Sequence, residues 1–253
     1  MSFMFAMSVD FSGEPPLRIA LATRSGATLD ALMVAAASKN VRLLVLPELW
    51  LDAEGGIESD EERIDGLAVA AQRHGLALLF GYRERCRTGV FSAAQIIDDR
   101  GYSLSNTRCA HPTPPPDTSA DGPSLDAGNW MTVSHGLEMP MSILLGDDVL
   151  FPEVTRAVTL KGAALVLALR RSPLADPRLE EALLRVRAYE NAITAIGLLD
   201  GRVYAFAPDA GRIAAQSGPC ELVMIDVPSI SLAKPPRRPE LYQQLVASGE
   251  GDD

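Results

Sequence analysis

Cysteine is scarce. Cys86, Cys109 and Cys220 are the three in 253 residues. They are too few and too scattered for a disulfide framework, and none forms a CxxC pair. A reducing, cytoplasmic compartment is therefore expected. Basic charge is short as well: 23 Lys and Arg against 33 Asp and Glu leave a net charge of −10. Phosphate backbones are held by basic patches, so nucleic acid is not an expected partner. No apolar run approaches the roughly 20 residues of a bilayer span, so no membrane association is expected. The N-terminal "MSFMFAMSVDFSGEPP" carries Asp10 and Glu14 and lacks a basic start, which argues against a secretory signal. Residues 1–16 read as a flexible leader. His74, His111 and His135 show no ligand spacing, so no metal and no cofactor are expected.

What is present is apolar and alternating. Hydrophobic residues make up 47% of the chain, enough for a substantial core. "LRIALAT" (17–23), "VRLLVLPE" (41–48), "LALLFGYRER" (76–85), "GVFSAAQII" (89–97) and "YSLSNTRCAH" (102–111) read as strands. The second is apolar almost throughout, which suits a strand covered on both faces. "TLDALMVAAASKN" (28–40) has helical apolar spacing with Thr28 as a cap, and "DEERIDGLAVAAQRHG" (60–75) is a helix closed by Gly75. After a proline-rich loop at 112–129, alternation resumes. A buried strand reaches Leu145 and a helix starts at Pro152. A further strand, "AALVLAL", precedes a helix over 176–193 whose stripe is Leu179, Ala182, Leu183, Val186, Glu190 and Ile193. Late strands follow. The pattern gives an α/β fold with a large mixed sheet, one domain over 17–245 and a disordered acidic tail at 246–253.

Three stretches carry a resemblance: "LLVLPELW", "SNTRCAHP" and "GDDVLFPEVTRAVTLKGAALVLA", with "RVRAYEN" and "RRPELY" in support. In that order and spacing they resemble the nitrilase, or carbon–nitrogen hydrolase, superfamily, in its amidase-like branch. The resemblance runs from about Leu17 to Tyr242. It implies a nitrilase-type α-β-β-α sandwich with two mixed β-sheets, and a homodimer.

It also implies a site in which a Cys attacks an amide or nitrile carbon, a Glu moves the proton, and a Lys stabilises the oxyanion. Laid on those motifs, the glutamate is Glu48. The lysine position falls on Cys109, and no lysine lies between Lys39 and Lys161 to replace it. The cysteine position falls on Gly146. The motif's Asp is kept as Asp148, and Asp147 stands where an aromatic is usual. Asn106, Arg108 and His111 match the middle motif.

Each residue has more than one reading. Glu48 is a base, or a buried acceptor whose pKa burial raises. Cys109 is a displaced nucleophile, or a small buried hydrophobe. Asp147 and Asp148 are a carboxylate nucleophile, a metal pair, or helix-start caps. Arg170 and Arg171 either reach into the pocket to pair with Glu48 or Asp147, or are solvated loop charges. Arg185 and Arg187 are expected to pair with acids such as Glu190 or Glu153. Asp117 or Asp121 could replace a supporting carboxylate. The expectation is a family member without the usual C–N hydrolysis, binding a small amide, a carboxylate or a protein partner. The alternative is an amidase-like hydrolase working on a small amide or nitrile with a displaced nucleophile, Cys109 or Asp147. A heteromeric partner of an active homologue is a third reading.

Overall fold

The computed structural model describes residues 16–23, 27–53, 61–112, 125–174, 176–230, 232–233 and 236–242. The leader to residue 15, Asp117, Asp121 and the 246–253 tail lie outside the described residues.

Eleven strands and five helices follow in order among the described residues. They are β1 (Leu17–Ala22), α1 (Leu29–Ala37), β2 (Leu43–Val45), α2 (Trp50–Ala53), α3 (Glu61–His74), β3 (Ala77–Cys86), β4 (Gly89–Ile97) and β5 (Ser103–Arg108). Then come β6 (Met141–Leu145), a 3₁₀ turn (Gly146–Leu150), α4 (Pro152–Leu160), β7 (Leu165–Arg170), α5 (Pro177–Asn191), β8 (Thr194–Leu199), β9 (Arg202–Phe206), β10 (Ala215–Ser217) and β11 (Leu222–Val227). The short α2 and β10 have no counterpart in the sequence reading. The 41–48 strand is shorter than expected, because Pro47 and the Glu48–Leu49 turn end it.

The strands form two mixed sheets, in orders β10-β11-β1-β2-β3-β4-β5 and β6-β7-β8-β9. In the first, a parallel centre (β1-β2-β3) is flanked by antiparallel strands on both sides; in the second, parallel β6-β7-β8 carries antiparallel β9 at one edge. Ile19, Leu43 and Leu79 of the first sheet share one core with Ile143, Leu167 and Ile196 of the second. The first sheet's outer face packs on α1 and α3 through Leu32, Met33 and Leu67. The outer face of the second packs on α4 and α5 through Val154, Val158, Leu184 and Ala188. The layers are therefore α-β-β-α. Strands β2, β6, β7 and β8 are buried along their whole length, which explains their unbroken apolar runs. Among the described residues no helix is long and apolar enough to cross a membrane.

The α5 stripe needs correction. Its inward face is Glu180, Leu184, Arg187, Ala188 and Asn191, while Leu179 and Val186 are 51% and 50% exposed. The reason is hydrogen bonding. Glu180 accepts from the Leu174 N–H (3.0 Å), Arg187 donates to the Val149 and Leu150 carbonyls (3.3 and 3.0 Å), and the Asn191 amide donates to the Arg187 carbonyl (2.9 Å). Polar groups satisfied in this way can occupy a core face. Arg187 does pair with Glu190 (3.1 Å), but Arg185 donates to the Ala210 carbonyl (3.0 Å) rather than to an acid.

Candidate functional site

Glu48 sits where β2 runs out. The chain turns at Leu49, whose φ of 54° is left-handed. This turn lies directly on β3 at Gly81: a Cβ there would meet the Leu49 nitrogen at 2.6 Å and the Glu48 Cα at 2.8 Å. Only glycine allows that approach. The Glu48 side chain, 9% exposed, is held at both oxygens. Ser92 Oγ donates to Oε1 (3.0 Å) and the Arg171 N–H donates to Oε2 (2.9 Å). Burial raises the carboxyl above its ordinary range. The two hydrogen bonds and the charges of Arg171 and Arg170 pull in the other direction without overcoming it.

Cys109 follows β5 and is fully buried in the core between the sheets. Its N–H donates to the Ser92 carbonyl (2.8 Å), so Ser92 links it to Glu48. Its thiol donates to the Leu145 carbonyl (3.0 Å). Burial pushes the thiol pKa up, and the nearby carboxylates of Asp148, Glu48 and Asp147 push it further in the same direction.

Gly146 opens the turn after β6. Its φ of 53° is left-handed, and it is buried. Parallel pairing of Leu145 with Leu169 brings this turn beside the end of β7. There Arg170, only 6% exposed, donates from Nε to Asp147 Oδ1 (2.9 Å) and from a terminal nitrogen to the Ser172 carbonyl. Asp148 ties the turn to the segment after β5. It accepts from the Ala110 (3.1 Å), His111 (2.9 Å) and Leu145 (3.3 Å) N–H groups, and lies 2.9 Å from His111 Nδ1. The His111 ring stacks on Phe151 at 3.8 Å. Arg108 points away from this cluster and makes a two-toothed bond to Glu84 (2.8 and 2.7 Å). Among the described residues, no three His, Cys, Asp or Glu side chains are grouped to hold a metal ion.

A cavity of about 300 Å³ opens beside Glu48, between the ends of β1 and β2 and those of β7 and β8. Trp50, Arg170, Arg171, Leu198 and Asp200 line it with Glu48. Cys109, Gly146, Asp147 and Asp148 are not among its lining residues.

Residues 21–199 match the carbon–nitrogen hydrolase family. The chain belongs to that family. It is 30% identical over 203 residues to a hydrolase from the pqqF 5' region of Pseudomonas protegens, covering 71% of this chain and 68% of that protein. It is 32% identical over 164 residues to the 2-oxoglutaramate amidase of Bacillus subtilis, covering 61% of each. Among solved structures, a C-to-A mutant of the Nesterenkonia AN1 amidase from the nitrilase superfamily superposes with a TM-score of 0.75. Its identity is 21%, over 92% of this chain and 98% of that one. At that identity the likeness concerns the fold: a nitrilase-superfamily sandwich.

Within this family member, Glu48, Cys109 and the Gly146–Asp148 turn meet around the ends of β2, β5 and β6. Arg170 and Arg171 divide. The first turns its side chain to Asp147. The second gives Glu48 its backbone N–H and keeps its own side chain exposed. Sequence reading missed Ser92, Gly81 and Trp50. Ser92 and Gly81 each break the apolar run of their strand ("VFSAA", "LALLFGY"), the one signal that marked them.

Proposed function

We propose that this carbon–nitrogen hydrolase family member keeps the family's glutamate as Glu48 but lacks its lysine and cysteine, at Cys109 and Gly146. It does not carry out the usual C–N hydrolysis. It holds a small amide or carboxylate without cleaving it. The observation that carries this reading is Gly146, which offers no side chain at the turn after β6. In a glutamate-to-glutamine mutant of the Nesterenkonia amidase, the acetamide moiety of fluoroacetamide is added covalently at the active site cysteine. Without such an atom no acyl-enzyme forms. Deleting a nucleophile lowers turnover by roughly a millionfold. Supporting it, Asp147 and Arg170 are paired with each other beside the turn. The 2-oxoglutaramate amidase, named for an amide that also bears a carboxylate, supports a small ligand of that kind.

One observation favours a second reading, an active hydrolase using Cys109: Ser92 joins this thiol's backbone to Glu48. Against it stand the thiol's complete burial, its bond to Leu145 and its raised pKa, all of which oppose a thiolate. Intact-mass measurement after incubation with fluoroacetamide separates the two. A silent site leaves Cys109 unmodified in the folded protein. An adduct on Cys109 in the folded protein favours the hydrolase. The homodimer implied by the family resemblance belongs to the same proposal. Light scattering tests it: a mass near twice 27.1 kDa supports it and a monomer mass rejects it.

A further inference from the structure

Helix α5 carries an apolar stripe that its own fold does not use. Leu179, Ala182, Leu183 and Val186 stand at i, i+3, i+4 and i+7, the spacing of one helix face. That face turns away from the second sheet, which α5 meets through Leu184 and Ala188 instead. Leu179 and Val186 are 51% and 50% exposed, Ala182 is exposed and Leu183 is half-buried. Tyr189, 55% exposed and three residues after Val186, extends the stripe by a turn. The helices on the opposite outer layer differ. There α1 and α3 each leave one large apolar side chain exposed, Val34 and Val69. Apolar residues scattered singly are ordinary on a surface, whereas a contiguous apolar face marks a contact.

We infer that this face of α5 is the contact surface for a second copy of the chain, with the two α5 helices packed antiparallel. The inference rests on the homodimer proposed above and assigns its interface. The spacing of the stripe names the occupant. Read from either end, the steps from Leu179 to Val186 are three, one and three. A twofold axis passing between residues 182 and 183 therefore lays the stripe on itself in register, as an isologous contact requires. Leu179 meets Val186 of the partner subunit, and Ala182 and Leu183 each meet their own equivalent. The same register brings Arg178, whose side chain is 93% exposed, beside Tyr189 of the partner subunit, where a guanidinium can lie over the ring. A partner of another sequence would demand no such symmetry of the stripe.

The test weighs the full chain by light scattering and crosslinks it through an introduced thiol. The parent is expected at a mass near twice 27.1 kDa. Val186→Glu should halve that mass and leave the circular dichroism unchanged, because the side chain is exposed in the single chain. Val69→Glu, the matching change on α3, should keep the dimer mass. Under mild oxidation Ala182→Cys should give a covalent pair joined at residue 182, as located by peptide mapping, and Val69→Cys should give none joined at residue 69. A parent at 27.1 kDa, whether the face stays bare or serves another protein, overturns the homodimer and this inference together. A dimeric parent that remains dimeric as Val186→Glu overturns the α5 face and leaves the homodimer standing. A monomeric Val186→Glu without the link at residue 182 overturns the antiparallel register.

Discussion

Arg170 and Asp147 form an ion pair between the end of β7 and the turn after its neighbour β6, with guanidinium nitrogens 2.9 Å from Oδ1. The arginine side chain is 6% exposed and the aspartate's 19%. Removing one partner from such a pair strands the other charge. Asp147→Ala should destabilise the protein by about 2–3 kcal/mol, somewhat below the range for fully buried pairs because water reaches Asp147. Asp147→Ala combined with Arg170→Met should recover part of that loss. Urea unfolding of the three variants checks this. Equal stability of Asp147→Ala and the parent would mean the pair contributes nothing.

Glu48 makes stability depend on pH. Burial lifts its folded-state pKa above the ordinary 4.5, so the folded protein holds the proton more tightly than the unfolded chain does. That contribution is present in full below 4.5 and is lost as pH rises through the folded value. Glu48→Gln cannot ionise and can still accept from the Arg171 N–H. Its melting temperature relative to the parent should rise with pH from 4.5 up to the folded-state value of Glu48 and level off beyond it. A difference that stays flat, or falls, would show that the buried carboxyl is not the titrating group.

The thiols should react in a definite order. Cys86 is exposed, and a 3.0 Å hydrogen bond with Thr88, helped by Arg108, draws its pKa down. Cys109 is buried with its pKa raised. Iodoacetamide at neutral pH should therefore label Cys86 early and Cys109 only on unfolding. Peptide mapping at timed quenches reads this directly. Prompt labelling of Cys109 would mean its thiol is open and activated.

Gly81 carries the Glu48 turn. Adding one methyl at Gly81→Ala forces the Leu49 backbone away from β3. A loss of about 1–3 kcal/mol is expected, as for other overpacked sites. The Ser92–Glu48 bond should loosen with it, shifting the Glu48 carboxyl resonance. An unchanged resonance would show that the turn does not set the position of Glu48.

The apolar runs revealed the strands because β2, β6, β7 and β8 are covered on both faces, and burial of that kind leaves no polar gaps. The inward face of α5 was not legible. Glu180, Arg187 and Asn191 reach it through hydrogen bonds that no apolar count registers. Glu48 stood out through its strand-ending Pro-Glu pair. Ser92 and Trp50 did not, since their importance comes from what β4 and the turn after Glu48 meet in space. Arg170 and Arg171, adjacent in sequence, take different roles: Arg170 closes β7 with its side chain buried on Asp147, whereas Arg171 lies just past the strand and offers Glu48 its backbone N–H.

Ammonia release from a panel of small amides, nitriles and carbamoyl compounds tests the missing nucleophile most directly. With Gly146 in the attacking position, the parent protein and Glu48→Ala should both stay at the uncatalysed rate. Turnover by the parent that vanishes in Glu48→Ala would contradict a silent site.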